Sequence, residues 1–397
     1  MSGVVGGGRG KSWLRSSLVV LQVSLSFLLL VGAGLLMLSL QRIRNLDPGF
    51  TTRGVLFTAV DLRGAGYDAI RAKTFDDELL GRVQAFPGVE SAALARDVPL
   101  SYGSFSSSAI AVDGYQAPLE EQAEVEYNQV GPGYFATVGI PVLSGREFTR
   151  ADNETAARVA VVNDVMAARY WRGDDPVGKR LQVKGQWREV VGVAKVSKYQ
   201  SVRENPKPFF YVPLRQDFSV GAALNIRTRM PAETIATELA WEVHTLDANL
   251  APYEVISLQE QMDRSTSPQR VAVTLLGILG GLALLLATVG LYAVMSYTIS
   301  QGTREFGLRM ALGAGAWTLL RQVLSRGLAL TGVGVLLGIG VALGTTRLLG
   351  NLLYRVSPRD PAAFGSALVV MAVASLAACF WPAWRATRTD PARALRD

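Results

Sequence analysis

The residues most suggestive of chemistry lie at the start of the chain, in "GGGRGKS", Gly6 to Ser12. Gly10, Lys11 and Ser12 have the spacing of the last three positions of a phosphate-cradling loop, whose backbone N–H groups and lysine hold nucleotide phosphates at a helix N-terminus. The full pattern, G-x-x-x-x-G-K-[ST], needs a glycine at position 5, where this chain has Val5. Only four residues come before that position, too few for the strand that such a loop follows. The apolar run after Arg15 is also unlike the surface helix of a nucleotide-binding domain. Residues 1–15 therefore read as a flexible basic leader, with no bound cofactor expected. The sole histidine, His244, has Glu242 and Asp247 nearby in the sequence, but at helical spacing they read as one solvated face. No nucleophile elbow, no H-E-x-x-H and no cysteine pair is present, so neither a catalytic residue nor a metal ligand is expected. The acidic runs "FDDE" and "LEEQAEVE" lack the alternating oxygen ligands of a calcium loop and read as solvated faces.

What must position any function here is a membrane. The chain has 397 residues, 49% of them hydrophobic, and a mean hydropathy of +0.23, which is high for a wholly soluble protein. Its formal charge of +7 is unevenly spread. Between Arg42 and Arg270 there are 26 Lys+Arg and 29 Asp+Glu; the remainder holds 14 and 4. The basicity thus belongs to the hydrophobic flanks, a pattern of membrane orientation rather than of a nucleic-acid surface. Cys379 is the only cysteine, so an exported domain must hold together without a disulfide.

Four charge-free stretches are long enough to cross a hydrocarbon core of about 30 Å, which takes roughly 20 helical residues. They are Ser16 to Leu40, Val271 to Thr303, Gly327 to Thr346 and Pro361 to Trp384. The first is too long for a signal peptide and has no A-x-A-like cleavage site, so it stays as an anchor. The leader carries Arg9, Lys11 and Arg15, and the connection after the second span carries Arg304, Arg309, Arg321 and Arg326 against Glu305. The tail carries Arg385, Arg388, Arg393 and Arg396 against Asp390 and Asp397. With four spans all three flanks fall on one side, which the positive-inside rule makes cytoplasmic. They outvote Arg347, Arg355 and Arg359 against Asp360 in the remaining connection.

That topology puts both termini in the cytoplasm and exports residues 41–270. The fold class is then membrane α-helical, with a large mixed α/β domain inserted between helices 1 and 2. Within the insertion "GVLFTAVDL", "RVAVVN", "WREVVGVAKV", "FFYVPL" and "AALNIRTR" are strand-like, while "YDAIRAKTFDDELLGRVQAF" and "PAETIATELAWEVHTLD" have helical spacing. Two lobes are expected, one of them containing a less regular polar stretch from Ser101 to Glu126.

In the spans, Gly277 with Gly281, Gly334 with Gly338 and Gly340 with Gly344 form small-xxx-small pairs that let helix backbones approach closely. They suit packing inside one four-helix bundle and a seam to a second copy equally well. The connection around residues 300–326 reads "SQGTREFGLRMALGAGAWTLLRQVLSRG". Glu305 stands four residues before Arg309, the favourable order for a helical ion pair, and Gly307, Ala311 and Ala314 form a small-residue face. A helix lying on the bilayer would be amphipathic too, but would not need that small face, which suits docking against another protein.

"TREFGLRMALGA" resembles the signature of MacB/FtsX-type ABC transporter permeases, and "PAWRATRTDPARALR" resembles their C-terminal motif, with Trp384 standing where a basic residue is usual. The likeness extends through "GYFATVGIPVLSGREFTRAD" and "DPVGKRLQV" in the insertion. "NLDPGF" and "RVSPRDPAAF" are similar to stretches of the duplicated acidobacterial permeases, of which this chain resembles one module, the C-terminal half. The resemblance implies a MacB-like periplasmic core domain over 41–270 and an FtsX-like permease domain over 271–397. It implies a bacterial inner-membrane subunit whose ATP is hydrolysed by a separate ATPase, docked at Arg304, Glu305, Gly307, Arg309, Ala311, Gly313 and Ala314. It further implies a second permease module, as homodimer or paralogue, and a periplasmic domain engaging cargo or a partner. The alternative left by the residues themselves is a non-transporting signalling or binding module that engages periplasmic partners.

Overall fold

A computed structural model describes residues 7–44, 46–101, 105–115, 124–311, 316–345, 353 and 356–387, with the backbone alone at 7–12, 302–311, 316–320, 383 and 385–387. The chain divides into two compact units, one formed by Met1–Asn45 with Ser267–Asp397 and the other by Leu46–Thr266.

The first unit is helical: α1 (Gly7–Arg44), α7 (Ser267–Ala311), α8 (Ala316–Thr345) and α9 (Pro361–Thr387). Each contains a stretch long and apolar enough to cross a membrane: Trp13–Arg44, Ser267–Gln301, Arg321–Thr345 and Pro361–Pro382. α1 starts well before the expected span. The leader read as flexible is helical from Gly7, because extending a helix already nucleated by its apolar body is far easier than starting one. Every fourth residue of α1, Val19, Val23, Phe27, Val31 and Leu35, is at most 2% exposed. This ridge is the spine of the helical core, where Leu291 and Met295 of α7, Val335 of α8 and Met371 of α9 join it. Where the ridge meets α8 there is room only for glycine: a Cβ on Gly334 would lie 2.7 Å from Val23 Cβ, and one on Gly338 3.1 Å from Phe27 Cβ. At the far end of α1, Arg42 pairs with Asp360 at 3.2 Å. Asp360 also caps α9 by accepting the Ala362 N–H at 3.0 Å, with Pro361 in the first helical position, where its missing donor costs nothing.

The second unit has two cores. In the first, β11 (Ile256–Ser257), β1 (Val55–Ala59), β10 (Ala223–Thr228) and β2 (Val89–Ala95) run antiparallel in that order. Against them pack α2 (Ala69–Gln84) and α5 (Ala232–Leu246), through Ala72, Phe75, Leu79 and Val83 of one and Ile235, Leu239 and Val243 of the other. Asp68 starts α2 by accepting the Arg71 N–H at 2.8 Å, and Ser257 starts α6 (Leu258–Ser265) in the same way through the Glu260 N–H at 3.0 Å.

The second core is built on a ring. β4 (Glu124–Val130), β3 (Ser106–Val112), β7 (Arg180–Val183), β8 (Gln186–Ala194), β6 (Val159–Asn163) and β9 (Phe209–Pro213) pair in succession, and β9 returns to β4 in parallel from Glu126↔Phe209 to Val130↔Pro213. Closing the ring leaves these six strands without a free edge. β5 (Val142–Gly145) adds to β8, and α3 (Tyr134–Val138) and α4 (Asp164–Tyr170) complete the unit. β9 is buried on both faces: Phe210 and Val212 join Tyr127 and Leu181 on one, while Phe209 and Tyr211 meet Tyr199 and Phe135 on the other. One residue pair, Ala95↔Val130, joins the two sheets through β2 and β4.

Two further expectations need correction. The stretch from Ser101 to Glu126, expected to be less regular, holds β3 and the start of β4, while residues 102–104 and 116–123 lie outside the described residues. β3 alternates small serines and alanines rather than large apolar residues, so its period of two is faint in the sequence. The run "FDDE" is solvated only in part: Asp77 and Glu78 are exposed, whereas Asp76 is 5% exposed on the apolar stripe of α2.

Candidate functional site

The signature segment continues the second spanning helix. α7 runs unbroken for 45 residues from Ser267, directly after the α/β unit, to Ala311. At 1.5 Å per residue that is about 68 Å of continuous helix. Arg304, Glu305, Gly307, Arg309 and Ala311 lie on its last turns, and only their backbone is described; Gly313 and Ala314 lie outside the described residues. With a helical backbone, Glu305 and Arg309 share one face, and Gly307 and Ala311 share another. α8 begins at Ala316; of the coupling segment expected at about 300–326, residues 312–315 lie outside the described residues and the described parts belong to α7 and α8.

The six glycines of the spans fall into different settings. Gly334 and Gly338 form the notch in α8 that receives α1, while a Cβ on Gly277, Gly281, Gly340 or Gly344 would meet nothing within 4 Å. α7 and α1 touch closely elsewhere: a Cβ on Gly280 would lie 3.5 Å from Leu29 Cβ, and one on Gly290 3.3 Å from Val19 Cγ2. The spanning window of α7 is only 11% buried within the unit, against 33–39% for the other three, so most of its apolar surface faces outward.

The α/β unit has its own concave site, which the sequence reading did not find. A cavity of about 540 Å³ lies between α2 and the segments following β5 and β9, with Leu80, Val130, Phe148, Arg150 and Leu214 among its walls. Charges bridge it. Arg215 pairs with Asp77 and stands 3.8 Å from Glu154, and Lys73 reaches Glu154 at 2.7 Å. The Lys73 bond holds the Glu154 carboxyl below the usual range. Burial works to raise Asp152, but the paired bonds from Arg146 at 2.8 and 2.9 Å and the Thr149 N–H outweigh it and leave the carboxyl lowered. Beside the cavity, burial and then the neighbouring Asp77 push Asp76 up to about 7, with Arg215 only partly offsetting them. Its position was legible: Asp76 follows Ala72 by four residues and Phe75 by one, on the face that Leu79 and Val83 continue.

The triad-like group is not assembled. His244 is exposed on α5, while Glu242 bonds Arg82 at 2.8 Å and Asp247 accepts the Tyr67 hydroxyl at 2.6 Å. In the run "LEEQAEVE", residues 119–123 lie outside the described residues; Glu124 accepts the Ser107 hydroxyl and Glu126 pairs with Lys207.

Four apolar helices with an α/β domain inserted after the first define a multi-pass membrane protein that carries a large extramembrane domain. Residues 17–243 match the MacB-like periplasmic core domain and residues 277–391 the FtsX-like permease C-terminal domain. The chain belongs to the MacB/FtsX-type ABC transporter permease family. It is similar to the ABC transporter permease YknZ of Bacillus subtilis, with 27% identity over 286 residues covering 70% of this chain and 71% of that one. It is also similar to the macrolide export ATP-binding/permease protein MacB of Marinobacter nauticus, 26% identical over 265 residues, and to the pyoverdine export ATP-binding/permease protein PvdT of Pseudomonas syringae, 30% identical over 273 residues. Each of those two matches covers 64% of this chain and 40% of the relative. The periplasmic region of MacB from Actinobacillus actinomycetemcomitans aligns with 55% of this chain and 95% of its own length, at 13% identity and a TM-score of 0.39. The chain is a permease component of an ABC transporter.

Proposed function

We propose that this permease couples ATP hydrolysis by a separate ATPase to conformational change in its periplasmic domain, for export or extrusion of a substrate. The observation that carries the reading is α7, one unbroken helix that starts where the α/β unit ends and finishes in the signature segment. A helix is stiff along its axis, so a displacement at Glu305 and Arg309 moves the whole rod, and its tight contacts with α1 carry along the other strand of chain leading to the α/β unit. In this reading Arg304, Glu305, Gly307, Arg309, Ala311, Gly313 and Ala314 form the ATPase-docking segment, on the cytoplasmic side of the bacterial inner membrane with both termini. The MacB and PvdT relatives are named for joint ATP-binding and permease roles, which supports ATP as the energy source of this reading. The outward face of α7, with Gly277 and Gly281 open, supports a second permease module as neighbour. Cargo or a periplasmic partner then belongs to the α/β unit.

The test is co-purification with a candidate ABC ATPase subunit. Charge reversal at Arg304, Glu305 and Arg309 is expected to abolish co-purification and permease-stimulated hydrolysis. If both persist, the docking assignment is wrong. Cysteine labelling that found residues 304–326 and the α/β unit accessible from the same face would refute the topology.

A further inference from the structure

One crevice in the helical unit is built for a ligand of a different kind. Where α1 enters the bundle, α7 leaves its spanning stretch and α8 begins its own, a cavity of about 270 Å³ is lined by Ser16, Val294, Met295, Thr298, Leu330 and Arg326, with Ala329 and Val333 at its side. Its lining combines apolar side chains with the polar Ser16, Thr298 and Arg326. Arg326 is exposed and makes no hydrogen bond or ion pair among the described residues, and the half-buried Ser16 hydroxyl likewise has no partner among them. Thr298 returns its own hydroxyl to the Val294 carbonyl at 2.8 Å and leaves its lone pairs free. On the same end of the bundle Arg15 lies over the Tyr297 ring, 4.5 Å from its centroid, which adds a second cation at this depth.

The depth says what the ligand is. Arg326 is five residues inside the spanning helix that begins at Arg321, so its guanidinium sits at the boundary between acyl chains and headgroups. Tyrosine and arginine together are the side chains of that interface, and basic pockets between spanning helices suit anionic headgroups. A soluble metabolite would have to enter from the side, past hydrocarbon. A phospholipid is already there.

We propose that this crevice seats one anionic phospholipid, its phosphate held by Arg326 and the Ser16 hydroxyl and one acyl chain lying against Val294, Met295 and Leu330. The site touches α1, α7 and α8 together, so an occupant bridges the two helices that flank the α/β insertion and the helix that follows the signature segment.

Native mass spectrometry of the full chain in detergent, titrated with phosphatidylglycerol or with phosphatidylcholine of the same acyl chains, tests this directly. The wild type is expected to retain phosphatidylglycerol preferentially. Arg326→Gln should lower that retention about fivefold, the ratio for roughly 1 kcal/mol per basic residue beside an anionic surface. Arg359→Gln removes the same charge at the opposite end of the bundle and should change nothing. Ala329→Leu keeps the charge but narrows the crevice, and should weaken retention as well. Equal losses in Arg326→Gln and Arg359→Gln would overturn the site, as would undiminished retention in Ala329→Leu. Displacement of the lipid by millimolar inorganic phosphate would also overturn it, since the anion alone would then be the ligand.

Discussion

Asp76 makes the folding of the α/β unit dependent on pH in a direction opposite to that of most carboxylates. It lies in the second turn of α2, among side chains that form the first core, and its Oδ2 has no hydrogen-bond partner. Burial is the main reason its pKa rises to about 7 from an ordinary 3.8; Asp77 adds to the rise and Arg215 opposes it. Above its unfolded pKa the unfolded chain gives up this proton, while the folded chain keeps it until pH approaches 7. Stability therefore falls with rising pH between about 4 and 7 and levels off above, by on the order of 4 kcal/mol in total and about 2–3 kcal/mol between pH 5 and pH 8. Asp76→Asn keeps the shape and cannot ionise. Hydrogen exchange of the full chain, followed at the β1, β2 and β10 amides and corrected for intrinsic rates, reads the opening free energy of this core. In the wild type that energy should drop from pH 5 to pH 8; in Asp76→Asn it should stay level and exceed the wild type at pH 8. Wild-type protection that is flat across this window would refute the buried-carboxyl account, and so would an undiminished slope in Asp76→Asn.

Asp152 works with the opposite sign: its lowered carboxyl stabilises the fold at neutral pH, and the contribution declines as pH falls below the ordinary carboxylate value, so Asp152→Ala should cost about 1–3 kcal/mol at pH 7 and progressively less as the pH is lowered below about 4 in the same exchange measurement. In the helical unit, Gly334→Leu should lower stability by about 1–3 kcal/mol, because even a Cβ there would stand 2.7 Å from Val23 Cβ and 3.0 Å from the Val20 carbonyl. Gly344→Leu, with nothing within 4 Å, is the matched control, and equal melting shifts in detergent would show that the α1–α8 notch is not tight.

Much of this architecture was readable from the sequence because hydrocarbon is an unforgiving solvent. Four charge-free runs give four helices whose spanning parts fall within a few residues of the expected limits, since one charge at mid-span would cost about 2.5–3.5 kcal/mol. The strands with large β-branched residues, such as "RVAVVN" and "FFYVPL", were equally plain. β2, β3 and β7 were not, because "VESAALA", "SSSAIAV" and "RLQV" are short or built from small residues that make the alternation of buried and exposed positions hard to see. The closure of β9 onto β4 could not be read at all, since a parallel pairing between segments some eighty residues apart leaves no local trace. The cavity of the α/β unit was hidden for a related reason. Lys73, Asp77, Glu154 and Arg215 come from three separate segments and only the fold brings their charges together. Asp76 alone carried a local signal, an acid on an apolar stripe.

The glycines show how one motif type serves two ends. Gly334 and Gly338 are filled by α1, so that small-xxx-small pair acts within the chain and fixes the bundle. Gly277 and Gly281 share the same spacing on α7, yet their surroundings are open and the helix that carries them is the least covered of the four. α7 is also the helix that joins the α/β unit to the signature segment. A rod that shifts, as the proposed function requires of α7, cannot be gripped on every side by its own unit, because close-packed interfaces resist sliding. Its open face lets it move against lipid or a neighbouring module, while the contacts at Gly280 and Gly290 keep α1 moving with it. On the proposed function, sparse packing around α7 is what a moving part requires, and its close contacts make α1 part of the same movement.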